Sequence, residues 1–130
     1  MALTLEEANR MVRAAMAKSV ELNVNMSVAV CDTGGTLLAF NRMEAAVPVT
    51  ATVAQGKAMA SAGFGRASGG MDADSANIQS IVALMGGRMH PHQGAVPIFK
   101  GGVLVGAIAG SGSRVAQEDE DVAQAGLDAL

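Results

Sequence analysis

Twice in this chain an apolar run, a glycine-bearing turn and a second apolar run follow one another. The first set is Met26 to Cys31, Asp32-Thr33-Gly34-Gly35 and Thr36 to Arg42; the second is Gln93 to Phe99, Lys100-Gly101-Gly102 and Val103 to Gly110. Glycine reaches positive φ without steric cost, so each set reads as a β-hairpin. Hairpins pair their strands antiparallel, whereas a parallel doubly wound sheet needs a crossover helix between successive strands. The pattern therefore predicts an α+β fold, with one antiparallel sheet flanked by helices.

Helical signals fill the remaining segments. Thr4-Leu5-Glu6-Glu7 is a capping box, and Leu5, Ala8, Met11, Val12, Ala15, Met16 and Val20 continue at helical spacing, which predicts a helix from Leu5 to Leu22. Thr50 to Phe64 is rich in Ala and Met and reads as a second helix, with Gly56 as its weak point. A third begins near Asp74 or Ser75, carries Ile78, Ile81, Val82 and Met85 as an apolar stripe, and ends at Gly86-Gly87. The last covers Gln117 to Leu130; its acidic start, Glu118 to Asp121, suits the positive end of a helix dipole.

At 130 residues the chain is expected to be a single domain, residues 1–130. Half of it is hydrophobic, yet it has no Trp, no Tyr and only Phe40, Phe64 and Phe99, so the core must be made of Ala, Val, Leu, Ile and nine Met. A small domain built of small side chains is expected to gain further burial by self-association. The formal net charge is −3 and the basic residues are scattered, which argues against a nucleic-acid partner. The single Cys31 excludes an intrachain disulfide framework. The start shows no secretory signal pattern and no apolar run reaches membrane-spanning length, so a cytoplasmic location without membrane contact is expected.

Five segments together resemble the GlcG/HbpS haem-binding-type family, which also occurs as the C-terminal domain of PduO-type cobalamin adenosyltransferases. They are Leu3 to Ala8, Val28 to Leu37, Ala54-Gln55-Gly56-Lys57-Ala58, Gly94 to Ile98 continuing through Val105-Gly106-Ala107-Ile108, and Asp119 to Ala123. They cover nearly the whole chain in order. The resemblance implies profilin-like α/β/α layers, higher-order homo-oligomers (tetramer to octamer), and a small-molecule or haem site near the sheet edge. This chain departs from the pattern in one place: His90-Pro91-His92-Gln93 stands where many relatives pass directly from a glycine-rich loop to Gly-Val-Pro.

That loop carries the first candidates. His90 and His92 are the only histidines. Imidazoles there suit an axial haem ligand or a general base near neutral pH; as a metal pair they lack a third ligand at recognisable spacing, so no metal site is assigned. They are equally readable as polar loop residues. Lys57, the one charge between Val47 and Phe64, is a candidate anion partner or a side chain snorkelling to solvent. Arg42 could grip a carboxylate in bidentate fashion, or simply face water. The backbone of Gly94, Ala95 and Val96 would form the wall of the site. Asp32 reads as a turn residue and Cys31 as a small buried hydrophobe.

Three readings of function follow. The first is an oligomeric protein that binds a small molecule: haem, another tetrapyrrole or a small organic acid. The alternative is a cofactor-independent isomerase, hydratase or lyase acting on a small catabolic metabolite, with a histidine moving a proton and Lys57 or Arg42 stabilising an oxyanion. A purely structural or regulatory subunit is the third reading.

Overall fold

The computed structural model describes residues 1–130. Its elements run α1 (Leu5–Glu21), β1 (Ser27–Asp32), β2 (Leu37–Arg42), α2 (Thr50–Phe64), a short 3-10 turn (Ser68–Gly70), α3 (Ala76–Leu84), β3 (Ala95–Lys100), β4 (Val103–Ser111) and α4 (Ala116–Leu127). The four strands form one sheet in the order β2-β1-β4-β3, and every neighbouring pair is antiparallel. The two hairpins thus lie side by side, with β1 and β4 at the centre.

Local chemistry sets the helix ends. The Thr4 hydroxyl accepts the Glu7 N–H at 3.1 Å and the Glu7 carboxylate accepts the Thr4 N–H at 2.9 Å, completing the capping box. The Lys100 ammonium, 2.9 Å from Glu7, ties the second hairpin to this helix start; that hydrogen bond holds the Glu7 carboxyl down to about 2. Ser75 caps α3 by accepting from the Ile78 N–H, and Gly65 ends α2 in the left-handed conformation with φ of 68°.

The alternation of β1 divides the core into two. Val28 and Val30 join Val96, Ile98 and Ile108 against Met11, Val12 and Ala15 of α1 and Val122 and Ala123 of α4. Ala29 and Cys31 turn the other way with Ala95, Ala107 and Ala109, against Ala54, Ala58 and Ala62 of α2. The sheet is therefore sandwiched between α2 on one face and α1 with α4 on the other. Register skips at Leu38 in β2 and at Val105 in β4 mark bulges. They bring Leu38 and Val105 onto the same side as Ala39 and Ile108.

The α2 interface explains how a core nearly free of aromatics works. Alanine faces alanine across it, so small side chains let the helix and sheet backbones lie close. α3 is the opposite case. Only Ile78 is buried, Ile81, Val82 and Met85 are partly covered against Ala60, Met71 and Met89, and Leu84 is 84% exposed. No helix is long and apolar enough to cross a membrane.

Ala54→Leu should overpack this interface and cost about 1–3 kcal/mol. The check is a urea unfolding midpoint; an unchanged midpoint would mean that the alanine layer is not close-packed.

Candidate functional site

A cleft of about 520 Å³ opens between α2, the β1–β2 turn and the segment that follows α3. Thr52, Val53, Gln55, Gly56, Ala58 and Met59 supply the helix side; Cys31, Gly35 and Leu37 supply the sheet side; Gly87, Arg88, Met89 and His90 close it. The volume lies in the range of small-molecule sites, roughly 300–1,000 Å³.

Gly56 explains why the closing segment lies where it does. A Cβ at position 56 would stand 3.0 Å from both the Arg88 carbonyl oxygen and the His90 Cβ. Without one, the chain packs directly on the helix and the His90 N–H donates to the Gly56 carbonyl at 3.0 Å. The residue that weakens α2 by propensity is the one that seats the histidine. Ser68 holds the next part of the loop: its buried hydroxyl donates to the His92 carbonyl and accepts the Ala95 N–H at 3.0 Å.

His90 lines the cleft and is half-buried. Burial first, then the positive charges of His92 and Lys57, hold its imidazole below the usual value of 6.5. The ring is therefore neutral at pH 7, with one nitrogen free to accept a proton or bind a metal. His92 is exposed, and its ring sits against that of His90 with centroids 4.2 Å apart and a tilt of 32°. The two imidazoles are adjacent, but only His90 lines the cleft.

Lys57 has a different place. It is 4% exposed; its ammonium is 2.9 Å from the Asp119 carboxylate and donates to the Gly110 carbonyl at 3.2 Å. Asp119 in turn accepts the Ser113 N–H at 2.9 Å and is itself 5% exposed. Lys57 thus neither snorkels to solvent nor stands free for an anion. The acidic start of α4 fits the dipole reading only in part, because Asp119 turns inward to meet Lys57.

Arg42 and the Gly94–Val96 strand start also lie outside the cleft. The Arg42 guanidinium donates to the carbonyls of Met43, Glu44 and Ala46, the last at 3.1 Å, and so pins the loop after β2. β alternation sends Ala95 to the α2 face and Val96 to the opposite one. Gly94 gives the Lys57 side chain room, since a Cβ there would stand 2.7 Å from the ammonium. Asp32 is a turn residue, with one carboxylate oxygen accepting the Gly34 and Thr36 N–H groups at 2.9 and 3.0 Å. Burial pushes the Cys31 thiol up to about 12, so it faces the cleft as an inert thiol.

Sequence reasoning missed Arg88, Met59, Met89 and Gln55 as cleft residues. Their common signal is proximity to Gly56 and Gly87, which allow the close approach. No three His, Cys, Asp or Glu side chains gather as metal ligands.

The hairpin pair, the helices on both faces and the cleft beside α2 define a class of helix-flanked single-sheet α+β proteins. The chain belongs to the haem-degrading protein HbpS-like family, whose model matches residues 3–128. It is 30% identical over 106 residues to Protein GlcG of Escherichia coli K12, covering 82% of this chain and 78% of GlcG. Among solved structures, a double mutant of Streptomyces reticuli HbpS superposes with a TM-score of 0.91 at 26% identity, covering all of this chain and 88% of that one. A PduOC–haem complex gives a TM-score of 0.89 at 24% identity, covering all of this chain and 96% of that one, which speaks to the fold.

Lys57→Met leaves Asp119 buried without its cation and should cost about 3–5 kcal/mol, whereas the double variant Lys57→Met with Asp119→Leu should recover much of that loss. Urea unfolding of the native protein, Lys57→Met, Asp119→Leu and the double variant measures the coupling; additive losses would show that the pair is not an energetic unit.

The His90 titration carries a sign. Its folded value lies below the unfolded one, so the unfolded chain takes up the proton first as pH falls. His90 leaves stability unaffected above about pH 6.5 and erodes it as pH falls from there through the folded value. NMR should place the His90 midpoint below that of an unfolded reference and move it upward in His92→Ala. A midpoint at or above the reference would contradict the burial of this ring.

Proposed function

We propose that this protein is an oligomeric small-molecule-binding protein whose ligand occupies the cleft beside α2, with haem as the leading candidate. The observation that carries this reading is a neutral imidazole, His90, on the wall of an otherwise largely apolar cleft. Leu37, Val53, Ala58, Met59 and Met89 suit an apolar macrocycle, and thioether side chains adapt to an irregular partner. A neutral ring nitrogen is what an iron centre requires of an axial ligand, and bound haem would bring that iron. The family's description as haem-degrading and the haem complex of a structural relative point the same way. His92 is a reserve imidazole against the outer side of His90, and Lys57 serves by holding the loop rather than touching the ligand.

Self-association into a tetramer to octamer forms part of the proposal. It rests on the family resemblance and on exposed apolar side chains such as Val47, Val49 and Leu84, which a second copy would cover.

An enzyme without a dissociable cofactor is the second reading. The neutral His90 favours it, since a base near neutral pH must be unprotonated. It stands behind the first because no Asp or Glu lines the cleft to act as a partner acid.

Titration with hemin should give a shifted Soret band that His90→Ala abolishes or displaces and His92→Ala largely preserves, while native mass spectrometry should show a tetramer or larger. A band unchanged in both histidine variants would end the axial assignment, and a monomer would end the oligomer assignment.

A further inference from the structure

The cleft carries one formal positive charge and no negative one. Arg88 is the only Lys or Arg among its lining residues, and Asp and Glu are absent. The guanidinium is exposed and its Nε donates to the Met85 carbonyl at 3.2 Å. That bond ties the side chain to the end of α3. Its two Nη groups have no hydrogen-bond or ion-pair partner in the protein, so the fork that matches a carboxylate remains free.

No other Lys or Arg lines the cleft: Arg13, Arg66 and Arg114 lie off it, and the remaining five are engaged elsewhere. Lys57 is paired with Asp119, Lys100 with Glu7 and Lys18 with Glu21. Arg10 and Arg42 are spent on backbone carbonyls. Two further polar side chains line the same cleft with capacity to spare. The Gln55 amide donates to the Ala51 carbonyl at 3.1 Å, which leaves its oxygen unused, and the exposed Thr52 hydroxyl makes no hydrogen bond within the protein. His90 is neutral and can donate or accept.

The geometry points to Arg88 as a carboxylate anchor, and so to a ligand with an apolar body and a carboxylate at one end. This rests on the cleft being the binding site, as proposed above, and adds what the ligand must carry. The apolar body lies against Leu37, Val53, Met59 and Met89, while the carboxylate reaches Arg88 where the cleft opens to solvent. Two sources share this chemistry: the propionates of a haem, and a free organic acid without a macrocycle.

Two ligand pairs separate the sources. Hemin and its dimethyl ester have the same ring and iron but differ in carboxylates; benzoate and benzamide differ likewise without a macrocycle. Each is titrated against the native chain, Arg88→Gln and Arg88→Lys, by absorbance for the porphyrins and by calorimetry for the small pair. In at least one pair the acid should bind more tightly than its neutral analogue. Arg88→Gln should weaken that acid about tenfold or more, as expected for loss of a charge-assisted hydrogen bond, and leave the analogue within about twofold. Arg88→Lys should restore part of the loss, and added salt should weaken the acid only. Arg88 is exposed, so these variants are expected to fold, and matching unfolding midpoints check it.

The outcomes distinguish the two proposals. If neither porphyrin binds while benzoate does so through Arg88, the haem reading fails and the carboxylate anchor stands. If hemin and its ester bind alike and Arg88→Gln changes neither, haem binding stands and the anchor falls. The absence of any acid preference in both pairs, or a preference that Arg88→Gln leaves intact, overturns the anchor.

Discussion

The ion pair between Lys57 and Asp119 joins helices that lie on opposite faces of the sheet. α2 packs on one side and α4 on the other, so a side chain linking them must pass the end of the strands. It does so beside Gly94 and Gly110, where no Cβ intervenes, and donates to the Gly110 carbonyl on the way. Both charged groups are nearly out of water, which costs several kcal/mol per ion unless geometry and further hydrogen bonds compensate. The compensation is visible: the ammonium has a carboxylate and a carbonyl, and the carboxylate also takes the Ser113 N–H. An arrangement satisfied in one geometry and costly in others fixes position more than it adds stability. What it fixes is the junction at Gly94, where the histidine loop enters β3.

From that junction the rest of the cleft follows by short steps. Ser68 ties the His92 carbonyl to the first N–H of β3. His90 is then two residues from a fixed point, and its own N–H reaches the Gly56 carbonyl on α2. The alanine layer holds α2 against the sheet, so the helix cannot retreat from the loop. The imidazole is thereby held at the cleft wall by the loop backbone, with the His92 ring against it. No protein hydrogen bond takes up its ring nitrogens, so the unprotonated one is free for a ligand or a proton.

Much of this fold was legible because its signals are local. Glycine turns, a capping box and period-two or helical spacing each act within a few residues, and the hairpins, α1, α2 and α4 follow from them. The layer arrangement followed from hairpin pairing, which forbids the parallel alternative. The site was less legible for a physical reason. Lys57 and Asp119 are 62 positions apart, and nothing in either segment shows that their charges meet. Arg42 looked like a free guanidinium because its partners are backbone carbonyls, which every residue has. Arg88 looked like one loop residue among several; only the close approach at Gly56 puts it on the cleft. His90 was singled out on its residue type, and its separation from His92 in role depends on which ring the loop turns inward.

The cleft's electrostatics depend on His90 staying neutral. Burial, and then coulombic repulsion from His92 and Lys57, disfavours the charged form of the His90 ring. The ring therefore lets the proton go, and when neutral it leaves Arg88 as the single formal charge on the walls. Binding a carboxylate there would change the balance. A negative charge in the cleft would stabilise the protonated imidazole, and by reciprocity a protonated imidazole would strengthen the hold on the carboxylate. If Arg88 anchors a carboxylate as proposed, acid pH would act in two opposed ways, loosening the empty fold through His90 while tightening the hold on the acid. Which of the two would dominate depends on how much of the carboxylate's charge Arg88 neutralises, so on that proposal the guanidinium would govern the pH response as well as the choice of ligand.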